Sequence, residues 1–250
     1  MASFRQFSAL FASLLLAGTA VAAEPSLTVE TIVAKARTVL AADPAALTRV
    51  KSVRFEFSAL DDAGRTINTS TLTVVAPGFR LEKTEGPTSG AESAMGIGRL
   101  EGWVSRKSDT LATRSLRALP YENFRKMQDM AADDLAFFAP PAAGRGQATY
   151  QGPSEIDGRK THAVEYAYAS GFRITRHFAA DTFALVASDQ LTPKGELQRQ
   201  KVDGVIIAEG IAFPAKETVF VAGKKSGTVT YSRVTVNPEL PAGLFDFPSF

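Results

Sequence analysis

Period-two alternation of apolar and polar positions runs through most of the chain. Val53–Ala59 sets Val53, Phe55 and Phe57 on one side and Arg54 and Glu56 on the other, the pattern of a half-buried strand. Asp61-Asp62-Ala63-Gly64 reads as a turn, and Thr66–Val75 as a long Thr- and Val-rich strand. Pro77-Gly78 turns the chain again and Phe79–Thr84 returns, so these segments predict a meander. Gly86–Gly98, rich in Gly, Ser and Pro, predicts a loop. Leu100–Arg106 and Thr110–Leu116 predict a hairpin around Lys107-Ser108-Asp109.

Tyr150–Pro214 predicts four antiparallel strands, and the rest of the chain continues or covers them. Thr161–Ala169 and Phe172–Ala179 fold about Ser170-Gly171. Folding there sets Ala169 against Phe172, Ala167 against Ile174 and Ala163 against Phe178. It also sets Glu165 against Arg176, an opposite-charge cross-strand pair. Val164, Tyr166, Tyr168 and Thr175 then share the other face. Phe183–Leu191 and Glu196–Val202 pair through Pro193-Lys194-Gly195. Ala215–Val221 and Gly227–Val236 predict the last strands.

Helical spacing occurs in two places. Leu27–Leu40 carries Ile32, Val33, Ala36, Val39 and Leu40 as one stripe, with Thr28 as its cap, and a short helix Pro44–Val50 follows. Tyr121–Phe138 carries Phe124, Met127, Met130, Ala131, Leu135 and Phe138 at three- and four-residue intervals, before Pro140-Pro141. Lying between two runs of strands, this second helix can cross one face of the sheet. The fold class is mainly β with α, a curved antiparallel sheet covered by helices.

Residues 1–23 change the picture of location. They hold one basic residue (Arg5), an apolar run from Phe7 to Ala17, and small residues at Ala20-Val21-Ala22-Ala23, as a secretory signal peptide does. The expectation is export to a periplasm, with residues 24–250 as one domain. Removing Arg5 takes Lys plus Arg from 28 to 27 against 26 acids, so the net charge of +2 becomes +1. That balance gives no reason to expect nucleic acid. With no Cys among 250 residues, the chain forms no disulfide and carries no lipid-modified cysteine.

Catalytic chemistry finds little support. His162 and His177 are the only histidines; the register above puts both on one face, but a metal site needs a third ligand. No Ser-x-x-Lys, Gly-x-Ser-x-Gly or His-Glu-x-x-His pattern occurs, and Gly96-Ile97-Gly98 lacks the rest of a dinucleotide fingerprint. Asp133 and Asp134 are adjacent on a helix, about 100° apart, and do not form a dyad. No enzyme, metal or cofactor is expected.

Several segments together resemble the LolA/LolB-like outer-membrane lipoprotein carrier superfamily. Pro77-Gly78-Phe79-Arg80-Leu81-Glu82 is similar to that family's Pro-x-x-Phe-Arg-x-Glu strand, and Glu101-Gly102-Trp103 stands where many members have Asp-Gly and an aromatic. Tyr150-Gln151-Gly152, Asp157-Gly158-Arg159, Phe178-x-x-Asp181-Thr182, Gly210-Ile211-x-Phe213-Pro214, Val236-Asn237-Pro238 and Phe245-x-x-Pro248 match its C-terminal half in order and spacing. The resemblance implies an unclosed half-barrel whose concave face and covering helices enclose an apolar cavity for acyl chains. It also implies that Arg80 controls closing of a helical lid.

The residues expected to face inward are Phe55, Phe57, Leu72, Val74, Phe79, Leu81 and Trp103, with Phe124, Met127, Met130 and Phe138 from the helical insert. Flexible, polarisable Met suits a cavity for variable chains. The expected function is a periplasmic carrier, a monomer, for an acylated lipoprotein or lipid, served by membrane-bound donor and acceptor proteins. The alternative is a non-transport interaction or sensor module on the same fold.

Overall fold

The computed structural model describes residues 27–86, 91–107 and 114–248. The expected signal peptide (residues 1–23) and the expected turn at Ser108-Asp109 lie outside the described residues.

Among the described residues, thirteen strands form one antiparallel sheet. Two helices come first, α1 (Val29–Leu40) and the single turn α2 (Ala45–Thr48). β1 (Ser52–Leu60), β2 (Thr66–Val75), β3 (Phe79–Glu85), β4 (Glu92–Ile97), β5 (Gly102–Lys107) and β6 (Arg114–Ala118) make one arm. The second arm is β7 (Gly146–Ile156), β8 (Arg159–Tyr168), β9 (Arg173–Ala179), β10 (Leu185–Leu191), β11 (Leu197–Ala208), β12 (Ile211–Val221) and β13 (Lys224–Val236). β1 pairs with β13, which joins the arms at the centre and leaves β6 and β7 as unpaired edges. The sheet is therefore an unclosed half-barrel. The chain passes from β6 to β7 through α3 (Tyr121–Ala136), so the connection that holds this helix crosses from one edge of the sheet to the other.

Both long helices form where the apolar spacing places them. Thr28 caps α1, its hydroxyl accepting from the Thr31 amide at 3.3 Å. Ile32, Val33 and Ala36 bury the α1 stripe against Val164, Tyr166 and Phe178. α3 ends at Phe137 and Phe138, both in the left-handed region (φ 47° and 68°), where bulky residues are uncommon. Three bonds hold that end. Arg37 Nη1 donates to the carbonyls of Ala136 and Phe137, each at 2.8 Å, and Tyr166 Oη donates to the Phe138 carbonyl at 2.9 Å. A guanidinium is well suited to the negative end of a helix.

Two sequence expectations need correction. Gly86–Gly98 is not all loop, because Glu92–Ile97 forms β4, paired to β3 and β5. Its Ala, Met and Gly hide the strand, and Gly96 is there for packing. The Trp103 ring lies over Gly96, and a Cβ built there would stand 2.4 Å from the indole. Gly96→Ala should cost about 1–3 kcal/mol by overpacking. A red shift of emission from the sole Trp, now 4% exposed, would report the displacement directly.

The β8–β9 register is the second correction. Tyr168 and Phe172 close the hairpin, with Ala169-Ser170-Gly171 as a three-residue loop and Gly171 at φ 85°. Adding one residue to the turn slips every pair by one. Arg176 thus lies opposite Val164, not Glu165, and Glu165 takes Arg173 at 2.7 Å instead. His162 lies opposite Phe178 and His177 opposite Ala163, so the histidines occupy opposite faces.

Candidate functional site

A cavity of about 410 Å³ lies between α3 and the concave face, within the range of about 300–1,000 Å³ common for ligand sites. Its apolar wall includes Phe55, Leu72, Phe137, Phe138, Ile174 and Phe213. Phe55 and Phe137 both meet Phe213 edge-on, at 5.8 and 6.1 Å. The lining is not wholly apolar, which corrects the sequence expectation. Arg80, Asp133, Asp134, Arg176, Glu217 and Tyr231 also face it, with Ser188 and three glutamines.

Charge in the cavity is organised by α3. Asp133 and Asp134 point apart, as adjacent helical residues must, and each meets an arginine from a different arm. On the β9 side, Arg176 donates through Nη1 to Asp133 Oδ1 at 3.1 Å and through Nη2 to Oδ2. Tyr168 Oη donates to the same Oδ1 at 2.7 Å. The guanidinium also stands over Tyr166, its Cζ 4.7 Å from the ring centroid. Only 8% of the Arg176 side chain and 2% of Asp133 reach solvent. Burial opposes the Arg176 charge, yet Asp133, Tyr166 and Tyr168 hold its pKa above the ordinary value. Burial pushes the Tyr166 phenol up to about 12.

The β3 side is looser. Arg80 Nη1 donates to Asp134 Oδ2 at 2.8 Å and Nη2 to Glu82 at 3.4 Å, while its buried Nε has no hydrogen-bond partner among the described residues. One third of the Asp134 side chain is exposed. Enclosure pushes its carboxyl up, against the attraction of Arg80. Deeper in, Tyr231 Oη donates to Glu217 at 2.9 Å, and burial raises the Glu217 carboxyl. One arginine is thus fixed in a sealed ion pair and the other in a wetter, incompletely bonded one.

Of the residues expected inside, Phe55, Leu72, Met130 and Phe138 line the cavity, as does Arg80, expected at the lid. Phe57 packs on the lining residue Tyr231 at 5.6 Å, and Val74 is fully buried on the Leu72 face. Phe124 is buried beside Gly102, away from the lining, and Met127 is half-buried on α3. Phe79, Leu81 and Trp103 are corrected. Strand alternation puts Phe79 and Leu81 on the face opposite Arg80, and Leu81–Gly96–Trp103 form one cross-strand row. Phe79 packs on Phe245 at 5.6 Å, so an apolar strand residue here marks the other side of the sheet. Arg176, Asp133, Phe213, Glu217 and Tyr231 were missed as site residues. The slipped hairpin register hid Arg176, and an acid on a helix reads as solvated until its partner is known.

The convex face holds a separate polar chain. Ser154 Oγ meets His177 Nδ1 at 3.0 Å, and His177 Nε2 meets Asp189 Oδ2 at 3.0 Å. Arg199 clamps Asp189 with bonds of 2.7 and 2.6 Å, and Ser154 Oγ is also engaged by Thr161 at 2.6 Å. With both neighbours committed, this reads as satisfaction of buried polar groups. Burial would raise the Asp189 pKa, but Arg199 and His177 hold it down to about 2. A carboxyl lowered from about 3.9 in the unfolded chain contributes stability above that value and loses it as pH falls toward the folded one. Urea midpoints should therefore fall between pH 4 and pH 2, and Asp189→Asn should flatten that limb.

No family model matches the sequence, and no curated protein matches it. Solved structures do. A DUF1329 family protein from Desulfovibrio piger aligns over 88% of this chain and 97% of its own, with TM-score 0.55 and 15% identity. A LolA superfamily protein from Nitrosomonas europaea aligns over 88% and 98%, with TM-score 0.53 and 14% identity. The chain shares the unclosed half-barrel fold of LolA superfamily proteins. Among the described residues, no helix is long and apolar enough to cross a membrane.

Proposed function

We propose that this protein is an exported carrier that shelters the acyl part of a lipid or lipoprotein between the half-barrel and α3. The observation that carries the reading is the cavity under α3, with an aromatic wall and a partly exposed ion pair at Arg80–Asp134 that acts as a latch. Arg37 and the sealed Arg176–Asp133 pair keep α3 attached to the second arm, while the latch is the contact that yields first. Each buried CH₂ of cargo gains roughly 0.8 kcal/mol. Breaking the latch offsets part of that gain, which keeps loading reversible. The 1–23 segment suits export to a periplasm, where donor and acceptor membranes are at hand.

Titration with a fluorescent acyl-chain probe tests this. Saturable binding at one site per chain is expected; signal that rises without saturation would count against a defined cavity. The competing reading, a non-transport interaction module, draws on Val205 and Ile207. They stand 60% and 64% exposed on the convex side of β11. It expects an empty protein with a protein partner.

A further inference from the structure

One wall of the cavity is polar without being charged. Ser188 and Gln190 on β10 lie opposite Gln200 and Gln198 on β11, so four hydrogen-bonding side chains form a two-by-two patch on the concave face. These positions are beside the Thr192–Glu196 hairpin end, whereas Phe213 and Phe55 lie toward the sheet centre. The cavity therefore grades from an aromatic floor to an amide-lined flank. The three glutamine side chains are half-buried and make no hydrogen bond to another described residue. Each offers two N–H donors and one carbonyl acceptor. Amides without a protein partner can exchange water for a ligand group that offers both a donor and an acceptor.

The charges nearby decide what kind of group that is. Arg80 and Arg176 are each matched by an aspartate, and Glu217 adds a further acid whose hydrogen bond comes from Tyr231. Among the described lining residues both arginines already face an aspartate, with Arg80 Nε left unbonded, so an anionic head finds no net positive charge beside Asp133, Asp134 and Glu217. A free carboxylate would lose water here without gaining a partner.

We infer that the cargo of this cavity is an amphiphile with an uncharged, hydrogen-bonding head, of ester, amide or hydroxyl type. Its chain lies on the aromatic floor and its head on Ser188, Gln190, Gln198 and Gln200. This rests on the carrier reading and narrows it, because a free fatty acid or anionic phospholipid head is disfavoured.

Isothermal titration calorimetry of the whole mature chain with two ligands that share a ten-carbon acyl chain, at pH 7.5 and below their micellar concentrations, tests it. The ligands are monodecanoylglycerol, which is neutral, and decanoate, which is anionic. The glyceride should bind about tenfold more tightly, as expected for one or two additional net hydrogen bonds. In a Gln198→Leu/Gln200→Leu double variant, thermal denaturation confirming its fold, the ratio should shrink to within about threefold. Equal affinities in the unsubstituted protein, or an unchanged ratio in the double variant, overturn the inference while leaving an acyl-binding cavity intact. If neither ligand binds, the carrier reading falls and this inference with it. The comparison in the unsubstituted protein decides the matter even if the variant does not fold.

Discussion

Asp133→Ala should destabilise the protein by about 3–5 kcal/mol, the usual cost of removing one partner from a buried ion pair. The reason is what remains behind. Arg176 would keep its charge 8% exposed, between Tyr166 and Phe138, with no carboxylate facing it. Tyr168 Oη would lose its acceptor at the same time. Urea denaturation at neutral pH measures the change. Asp134→Ala, one residue along the same helix, provides the contrast. Its carboxylate is one third exposed and Arg80 retains Glu82, so the loss should be about 1 kcal/mol or less. Similar losses for the two variants would mean that α3 is not held asymmetrically.

Arg80→Leu should act on binding more than on folding. A lid that must open to admit cargo lowers affinity by the free energy of its latch. Removing the latch should therefore tighten binding of an acyl ligand by about five- to tenfold, equivalent to about 1–1.4 kcal/mol, and slow its release. The Asp134 side chain left behind keeps one third of its surface in solvent, which limits the stability cost. Stopped-flow release of a fluorescent acyl probe is the suitable readout. Weaker binding or faster release would show that Arg80 grips the ligand rather than the lid.

Much of the fold was legible because alternation survives wherever one face is buried. β1, β2 and the two long helices follow their apolar spacing within a residue or two. β4 was not legible, since Gly96 is present for the indole that covers it and not for strand propensity. The site was only half legible, for two physical reasons. A three-residue turn in place of a two-residue one moved every β8–β9 pair, which sent Arg176 to Asp133 instead of Glu165. The Phe79-Arg80-Leu81 run then carried two apolar side chains to the convex side, because strand geometry allows only Arg80 to share the cavity face. Ion pairs separated by 43 and 54 positions leave no local trace in the sequence.

The most direct measurement is native mass spectrometry of the protein isolated from its own cell envelope without detergent exchange. An added mass matching one acylated lipid or lipoprotein per chain is the expected result, with Arg80→Leu retaining more of it. An unloaded protein from a fraction rich in such lipids, in both the unsubstituted and Arg80→Leu forms, would contradict a carrier and point to a partner-binding module instead.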